Sequence, residues 1–199
     1  MGILDGRVGE GTFVSTDNRK YLEKSLQRGL LIDQKSVSDL VETRLMLESQ
    51  TAYAAAARAT PENLKEIEEA LKGMQQSLDL PQEYLEHDLR FHLAVARATQ
   101  NQILFNLLSM TRGYLQTWIT ESLFKPSVRK MRARAESSVR EHQKVLEALR
   151  KRKPEEARQA MTEHILSSSV DLQPQVESPV TDLVSRSGKG KSSSVSKRL

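Results

Sequence analysis

Apolar side chains recur at intervals of three and four residues along most of this chain, which is the spacing of one face of an α-helix. The pattern breaks where proline or a polar pair interrupts it, at Thr60-Pro61, Leu80-Pro81, Gln100-Asn101, Pro126 and Lys153-Pro154. Six helices are therefore predicted, from Ser36 or Ser38 to Arg58, from Pro61 to about Leu78, from Gln82 to about Thr99, from Gln102 to about Phe124, from Val128 to about Lys151 and from Glu155 to about Val170.

The two ends of the chain depart from this pattern. The stretch GEGTFV sets glycines beside β-forming residues and predicts a short hairpin, and a stripe of leucines between Arg19 and Ile32 predicts one more helix. The C-terminal end is rich in Ser, Gly and Lys and has too few bulky apolar residues to form a core. The predicted divisions are a hairpin at 1–16, a linker helix at 17–35, a helical domain at 36–172 and a disordered basic tail at 173–199.

Composition agrees with a helical fold. Aromatic residues make up only 5% of the chain, while residues that enter helices at low cost are abundant. The predicted fold class is all-α, an antiparallel bundle of about six to seven helices preceded by a β-hairpin. There is no run of 18 apolar residues and no signal peptide pattern, so we expect a soluble, cytoplasmic protein without a membrane partner.

The formal charge of +4 is concentrated at one end. Five basic residues and no acidic ones lie between Ser185 and Leu199, which leaves 25 basic and 26 acidic residues elsewhere. The folded body is therefore close to neutral, and DNA affinity would have to come from a local patch or from a part of the protein outside this chain.

Three histidines and one aspartate fall on inward faces of the predicted helices. Asp88 and His92 are four residues apart and share one helical face, while His142 and His164 lie on the apolar faces of two later helices. One inward histidine is usually a satisfied core residue, but a buried carboxylate needs a partner, and the chain has no cysteine to offer a metal. The combination predicts a divalent metal site for Zn, Ni, Mn or Fe. His87 is rotated off this face and is predicted to lie at the surface.

The helical domain resembles the FadR-type C-terminal ligand-binding domain, the FCD type, of GntR transcriptional regulators. The resemblance covers about residues 36–170 and is carried by DLVETRLMLESQTAYAAAARAT, DLRFHLAVARATQN and EHQKVLEALRKRKPEEARQAMTEHI. Metal-binding members have an Asp followed four residues later by His, another His about fifty residues on and a last one about twenty residues beyond. Asp88, His92, His142 and His164 match that motif, so the resemblance implies that they hold a divalent metal ion.

Two more residues receive a role from the resemblance. The family uses an arginine of its first long domain helix to grip a carboxylate effector, and Arg44 in VETRLMLE occupies that position. A guanidinium suits the task because its planar fork pairs with a carboxylate through two hydrogen bonds. The alternative for Arg44 is a surface ion pair with Glu48. Asn101 matches an asparagine near the family's pocket, and it can also serve as a helix N-cap.

The N-terminal hairpin is similar to the wing that ends the winged helix-turn-helix of GntR proteins. The stretch RVGEGTFVS carries this similarity, and Arg7 is the residue that could contact DNA phosphate. The recognition helix that would enter the major groove is not in this sequence, so the chain is expected to bind DNA weakly by itself.

These observations lead to one functional prediction with two alternatives. The prediction is a metal-dependent sensor of a small organic acid in a homodimeric GntR-type regulator, in which effector binding modulates DNA binding. One alternative is a metal-dependent enzyme acting on a small organic acid; we see no spare Glu or His beside the site to act as a base, which speaks against it. The other is an inert helical dimerisation module with core histidines.

Overall fold

The computed structural model describes residues 4–7, 11–14, 36–123 and 128–169. Two short strands, β1 (Leu4–Arg7) and β2 (Gly11–Val14), form the predicted antiparallel hairpin, with Leu4 opposite Val14 and Arg7 opposite Gly11. The linker helix predicted at 17–35 and the tail predicted at 173–199 lie outside the described residues.

Six helices make up the rest of the described chain and confirm the all-α prediction. They are α1 (Ser36–Arg58), α2 (Pro61–Gln76), α3 (Pro81–Ala98), α4 (Gln102–Leu123), α5 (Val128–Arg150) and α6 (Pro154–Ser169). The predicted ends are correct to within about two residues, because local chemistry sets them.

Helix α2 shows how the local sequence fixes a helix start. The Thr60 hydroxyl accepts a hydrogen bond from the Asn63 N–H at 3.3 Å, and the Asn63 side chain accepts one from the Thr60 N–H at 3.1 Å. Pro61 occupies the first turn, where its missing N–H costs nothing. This reciprocal cap uses two of the donors that a helix start leaves without partners.

Helices α3 and α5 end with a residue in the left-handed conformation. The φ angles of Gln100 and Arg152 are 57° and 55°. After α5 the Lys153 N–H donates to the Ala148 carbonyl at 3.1 Å and the Arg152 N–H to the Leu149 carbonyl at 3.1 Å, a pattern that reverses the chain into α6.

The core lies between α1, α2, α3, α5 and α6. Helix α1 packs most extensively against α6, and the buried core residues of α1 include Ala52, Ala55 and Ala56. The large apolar side chains that fill the centre are Ile67, Leu71, Met74, Phe91, Leu149, Met161 and Ile165. Each contributes about 1.5–3 kcal/mol by leaving water. Among the described residues, no helix is both long and apolar enough to cross a membrane.

Candidate metal centre

Three helices bring the four predicted metal ligands together. Helix α3 supplies Asp88 and His92 from adjacent turns of one face, α5 supplies His142 and α6 supplies His164. One possible ligand atom from each residue lies within 4.8 Å of all the others. The three imidazoles are buried, and Asp88 retains 17% exposure, so the cluster approaches solvent on the aspartate side.

The shortest distances in the cluster join Nε2 atoms and the aspartate. His142 Nε2 lies 3.2 Å from His92 Nε2 and 3.2 Å from Asp88 Oδ1, and His92 Nε2 lies 3.8 Å from the same oxygen. Two imidazoles and one carboxylate oxygen therefore converge on a single point.

Each imidazole turns its other nitrogen, Nδ1, towards an acceptor outside the cluster. His142 Nδ1 lies 2.8 Å from the Ser138 carbonyl oxygen, and His164 Nδ1 lies 3.0 Å from Glu141 Oε2. A carbonyl and a carboxylate can only accept, so both Nδ1 atoms donate and a neutral ring keeps its lone pair on Nε2. The outer partners thus leave Nε2 free to bind a metal.

His92 also turns Nδ1 towards an acid, the buried Glu48 of α1. Its Nδ1 lies 2.5 Å from Glu48 Oε2. The alignment of the two atoms is poor for a hydrogen bond, and neither has another hydrogen-bond partner among the described residues. The short distance still identifies the Glu48 carboxylate as the group that Nδ1 faces, so Nε2 of His92 is also left for the cluster.

Two buried arginines balance the acids around the cluster. Arg112 Nη2 donates to Asp88 Oδ2 at 2.5 Å, and Arg112 Nη1 lies 3.8 Å from Glu48 Oε1. Arg44 Nε donates to the same Glu48 oxygen at 2.7 Å. Both arginines are only 3% exposed, and their guanidinium groups therefore supply the charge that buried carboxylates need.

The protonation states suit metal binding. Burial, followed by the positive charge of Arg112, lowers the pKa of His92 to about 3, and burial also lowers the pKa of His164 well below its ordinary value. Both rings are therefore neutral at pH 7, as a ligand must be. Burial alone would raise the pKa of Asp88, but Arg112 and the neighbouring histidines outweigh it, so that pKa lies well below its ordinary value. Asp88 is ionised.

The comparisons with known proteins agree with the fold and its sequence motifs. The family model described as "FCD domain" matches residues 39–167 of the chain. The chain belongs to the FCD domain family of GntR-type transcriptional regulators.

Named relatives of this FCD domain are bacterial regulators. It is 31% identical over 172 residues to the HTH-type transcriptional regulator LutR of Bacillus subtilis (strain 168), over 83% of this chain and 75% of LutR. It is 30% identical to the "Putative L-lactate dehydrogenase operon regulatory protein" of Escherichia coli (strain K12), over 82% of this chain but only 64% of the relative. The solved structure of Streptococcus agalactiae GntR superposes with a TM-score of 0.64 at 25% identity, over 85% of this chain and 75% of that one.

The relatives bear on the enzyme alternative. They are named as transcriptional regulators, and the FCD domain is therefore placed among regulators and not among enzymes. Glu48 and Glu141 do lie beside the cluster, but both are paired with imidazoles and neither is spare to act as a base. Each carboxylate faces an imidazole N–H, which is the arrangement of an outer partner to a metal ligand.

The structure places Arg44 and Asn101 very differently. Arg44 does pair with Glu48, but the pair is buried and lies beside His92, not at the surface. Asn101 is exposed and caps α4, since its side-chain oxygen accepts from the N–H groups of Ile103 at 3.1 Å and Leu104 at 3.2 Å. It lies about 16 Å along α4 from Arg112. The cap role of Asn101 is observed, and its contact with an effector stays a prediction.

Two other predicted residues lie away from the cluster. Arg7 is the last residue of β1, and its contact with DNA stays a prediction. His87 was expected at the surface, and this is wrong: its ring is half-buried and Nδ1 is fully enclosed. The cause is Gly73 on α2, which has no side chain and lets the His87 ring pack over its backbone.

The sequence analysis named neither Arg112 nor Glu141, and it named Glu48 only as a surface partner of Arg44. A lone arginine in the most apolar helix of the chain could have identified Arg112. Glu48 falls on the face of α1 that also carries the buried Val41 and Ala52, which is a comparable signal. Glu141 adjoins His142 in sequence but serves His164, and we find no sequence pattern that shows it.

Proposed function

We propose that this FCD domain senses a small carboxylate at a divalent metal held by Asp88, His92, His142 and His164. The observation that carries the proposal is the shared orientation of the three imidazoles. Each turns Nδ1 to an outer acceptor and leaves Nε2 for the cluster, at a point that also holds Asp88 Oδ1. Imidazole nitrogen and carboxylate oxygen suit Zn, Ni, Mn or Fe, and such an ion would act as a Lewis acid towards carboxylate and hydroxyl oxygens of a ligand.

The charges around the cluster favour a ligand with one carboxylate. Two arginines and three carboxylates are in contact with the site, Arg44, Arg112, Glu48, Asp88 and Glu141. An imidazole that binds a metal is neutral, so these five residues leave a net charge of −1, which a divalent ion would change to +1. A single carboxylate then restores neutrality in a site that solvent screens poorly.

The two guanidinium groups supply the hydrogen bonds that would orient such a ligand. Only Nε of Arg44 makes a short bond to Glu48, and its Nη1 is 3.5 Å from the Ser168 hydroxyl, which is at the limit of a hydrogen bond. Arg44 therefore keeps donors for a carboxylate, as the resemblance implies. Two relatives are named for operons of L-lactate dehydrogenase and galactonate, and hydroxylated monocarboxylates are accordingly the first ligands to examine.

The regulator that contains this domain would use effector binding to change DNA binding in the cytoplasm. We expect a homodimer, with the exposed Ile103 and Leu107 of α4 in its interface, and DNA contact through a winged helix whose wing is the β1–β2 hairpin. Sedimentation of Ile103→Glu against the wild type tests the dimer: the variant should sediment as a monomer.

The metal and its ligand can be tested together on the purified chain. After dialysis against Zn²⁺ we expect about one ion per chain by elemental analysis, and loss of the ion in His142→Ala. His87→Ala is the matched control, since His87 is the histidine outside the cluster. Isothermal titration with L-lactate and D-galactonate should then show heat only for the loaded protein. Equal metal content in wild type and His142→Ala would refute the proposal.

A further inference from the structure

Glu48 is the most deeply buried acid of the described chain, and the proposed metal chemistry does not use it directly. Its side chain is 2% exposed and comes from α1, a helix that supplies none of the four metal ligands. A carboxylate in such a place costs several kcal/mol unless neighbours compensate for it. The contacts of its two oxygens show which groups the Glu48 carboxylate positions.

The two oxygens of Glu48 face two different groups. Oε1 accepts a hydrogen bond from Arg44 Nε at 2.7 Å and lies 3.8 Å from Arg112 Nη1. Oε2 lies 2.5 Å from His92 Nδ1, a close contact of opposite partial charges, and has no hydrogen-bond partner in the described structure. One planar group therefore touches a metal ligand on one side and both buried arginines on the other.

Because Glu48 contacts both His92 and Arg44, a change in charge at His92 would alter how strongly Glu48 binds Arg44. A metal on Nε2 of His92 would withdraw electrons from the ring, and the more positive Nδ1–H would attract Oε2 of Glu48 more strongly. Charge drawn towards Oε2 weakens the hold of Oε1 on Arg44, because the two oxygens share one negative charge. Arg44 then has more of its donor capacity available for an incoming carboxylate.

Glu141 provides a comparison inside the same site. Its Oε2 faces His164 Nδ1 at 3.0 Å in the same manner, but its Oε1 accepts from the Ser167 hydroxyl at 2.8 Å and contacts no arginine in the described structure. Glu141 can therefore orient His164 without contacting Arg44 or Arg112, the residues proposed to bind the carboxylate.

We infer that Glu48 is a positioning residue that couples metal binding to carboxylate binding, by orienting His92 with one oxygen and holding Arg44 with the other. The inference rests on the proposed function, since it assumes a metal at the cluster. Glu141, by contrast, orients a histidine but does not hold Arg44.

The test uses Zn²⁺ alone on the full chain, with Glu48→Gln and Glu141→Gln as a matched pair. Competition with a chromophoric chelator should show Zn²⁺ affinity about 10- to 100-fold weaker in both variants, because each glutamine is a poorer acceptor for an imidazole N–H. The Arg44 Nε–H resonance in ¹H–¹⁵N spectra should shift on Zn²⁺ addition in wild type and Glu141→Gln, and stay unchanged in Glu48→Gln.

The outcomes separate the two proposals. If the wild type binds no Zn²⁺, the proposed function fails. If the wild type binds Zn²⁺ but its Arg44 resonance does not move, or Glu48→Gln binds as tightly as wild type, the coupling by Glu48 is wrong while the metal site stands. Should Glu48→Gln not fold, the wild-type spectra still decide, through the Arg44 shift and a His92 ¹⁵N pattern with Nδ1 protonated.

Discussion

The interior of this FCD domain has two halves that are held together in different ways. The apolar half, built around Ile67, Leu71, Met74, Val95 and Leu149, consists of side chains without polar atoms. The polar half consists of the four candidate ligands with Arg44, Glu48, Arg112 and Glu141. Phe91 lies at the boundary, with its ring edge-on to His142 at a centroid distance of 4.6 Å.

The two halves differ in which side chains can be replaced without a large loss of stability. In the apolar half, another apolar residue of similar volume would serve, since the contacts are not directional. In the polar half every group needs its own partner, because a buried charge left alone costs more than a cavity of the same size. Four substitutions test this contrast, in order of decreasing effect on the free energy of unfolding.

Arg112→Met should have the largest effect. It leaves Asp88 without its strongest cation, and we expect the metal-free protein to lose about 3–5 kcal/mol of stability in urea denaturation. Zn²⁺ should recover part of the loss, since the ion replaces the missing positive charge. Arg97→Met is the control, because its pair with Glu66 is half-exposed and contributes under about 1 kcal/mol. A loss at Arg112 as small as that at Arg97 would contradict the contrast.

Leu149→Ala tests the apolar half. Leu149 is fully buried, and removing three carbons should destabilise the chain by about 2–5 kcal/mol, centred near 3. The gain in stability on Zn²⁺ addition should be the same as in wild type, since distant sites contribute additively. The measurement is denaturation with a chelator and with Zn²⁺. A changed metal increment would mean that the two halves are not independent.

Gly73→Ala tests shape at the edge of the apolar half, where α2 packs against the imidazole of His87. A Cβ at Gly73 would lie 2.2 Å from His87 Nδ1, so the ring must move, at a cost of about 1–3 kcal/mol. Alanine offsets about 1 kcal/mol of this through its helix propensity, and a net loss of about 1 kcal/mol remains. In a His87→Ala background the sign should reverse, because nothing then opposes the added methyl. Thermal unfolding of the four proteins gives the answer.

Arg152→Gly should have the smallest effect and lies outside both halves. Arg152 is exposed with φ of 55°, a conformation that glycine adopts without strain. We expect a gain of about 0.5 kcal/mol, reduced by the greater freedom of glycine in the unfolded chain. Lys151→Gly, one residue earlier, should show no gain. The difference in unfolding free energy between these two variants gives the size of a stability change that involves neither half of the interior.

The same contrast explains what the sequence could predict. Helix boundaries followed from Thr60, Pro81 and Pro154, because caps and prolines act within a few residues. The apolar spacing of three and four residues that predicted the helices also marks the buried face of α2, with Ile67, Leu71 and Met74, since a periodic stripe is buried whatever its partner. The four candidate ligands followed from their residue types and inward faces, and the structure brings all of them together.

The remainder of the site depends on partners far away in sequence. Glu48 stands four residues from Arg44, the spacing of a surface pair, and only its contact with His92 shows that the pair is buried. Glu141 serves a histidine 23 residues later, on another helix. His87 is half-buried only because Gly73 on α2 leaves room for its ring. Local patterns cannot reveal such contacts, since tertiary packing creates them.

X-ray absorption at the zinc K-edge of the Zn²⁺-loaded chain tests the central claim most directly. We expect a first shell of three nitrogens at about 2.0–2.1 Å and one oxygen at about 2.0–2.2 Å, with the outer scattering of three imidazole rings. In His142→Ala one ring should be missing from that pattern. A shell of oxygens alone, without imidazole scattering, would contradict the assignment of Asp88, His92, His142 and His164 as a metal site.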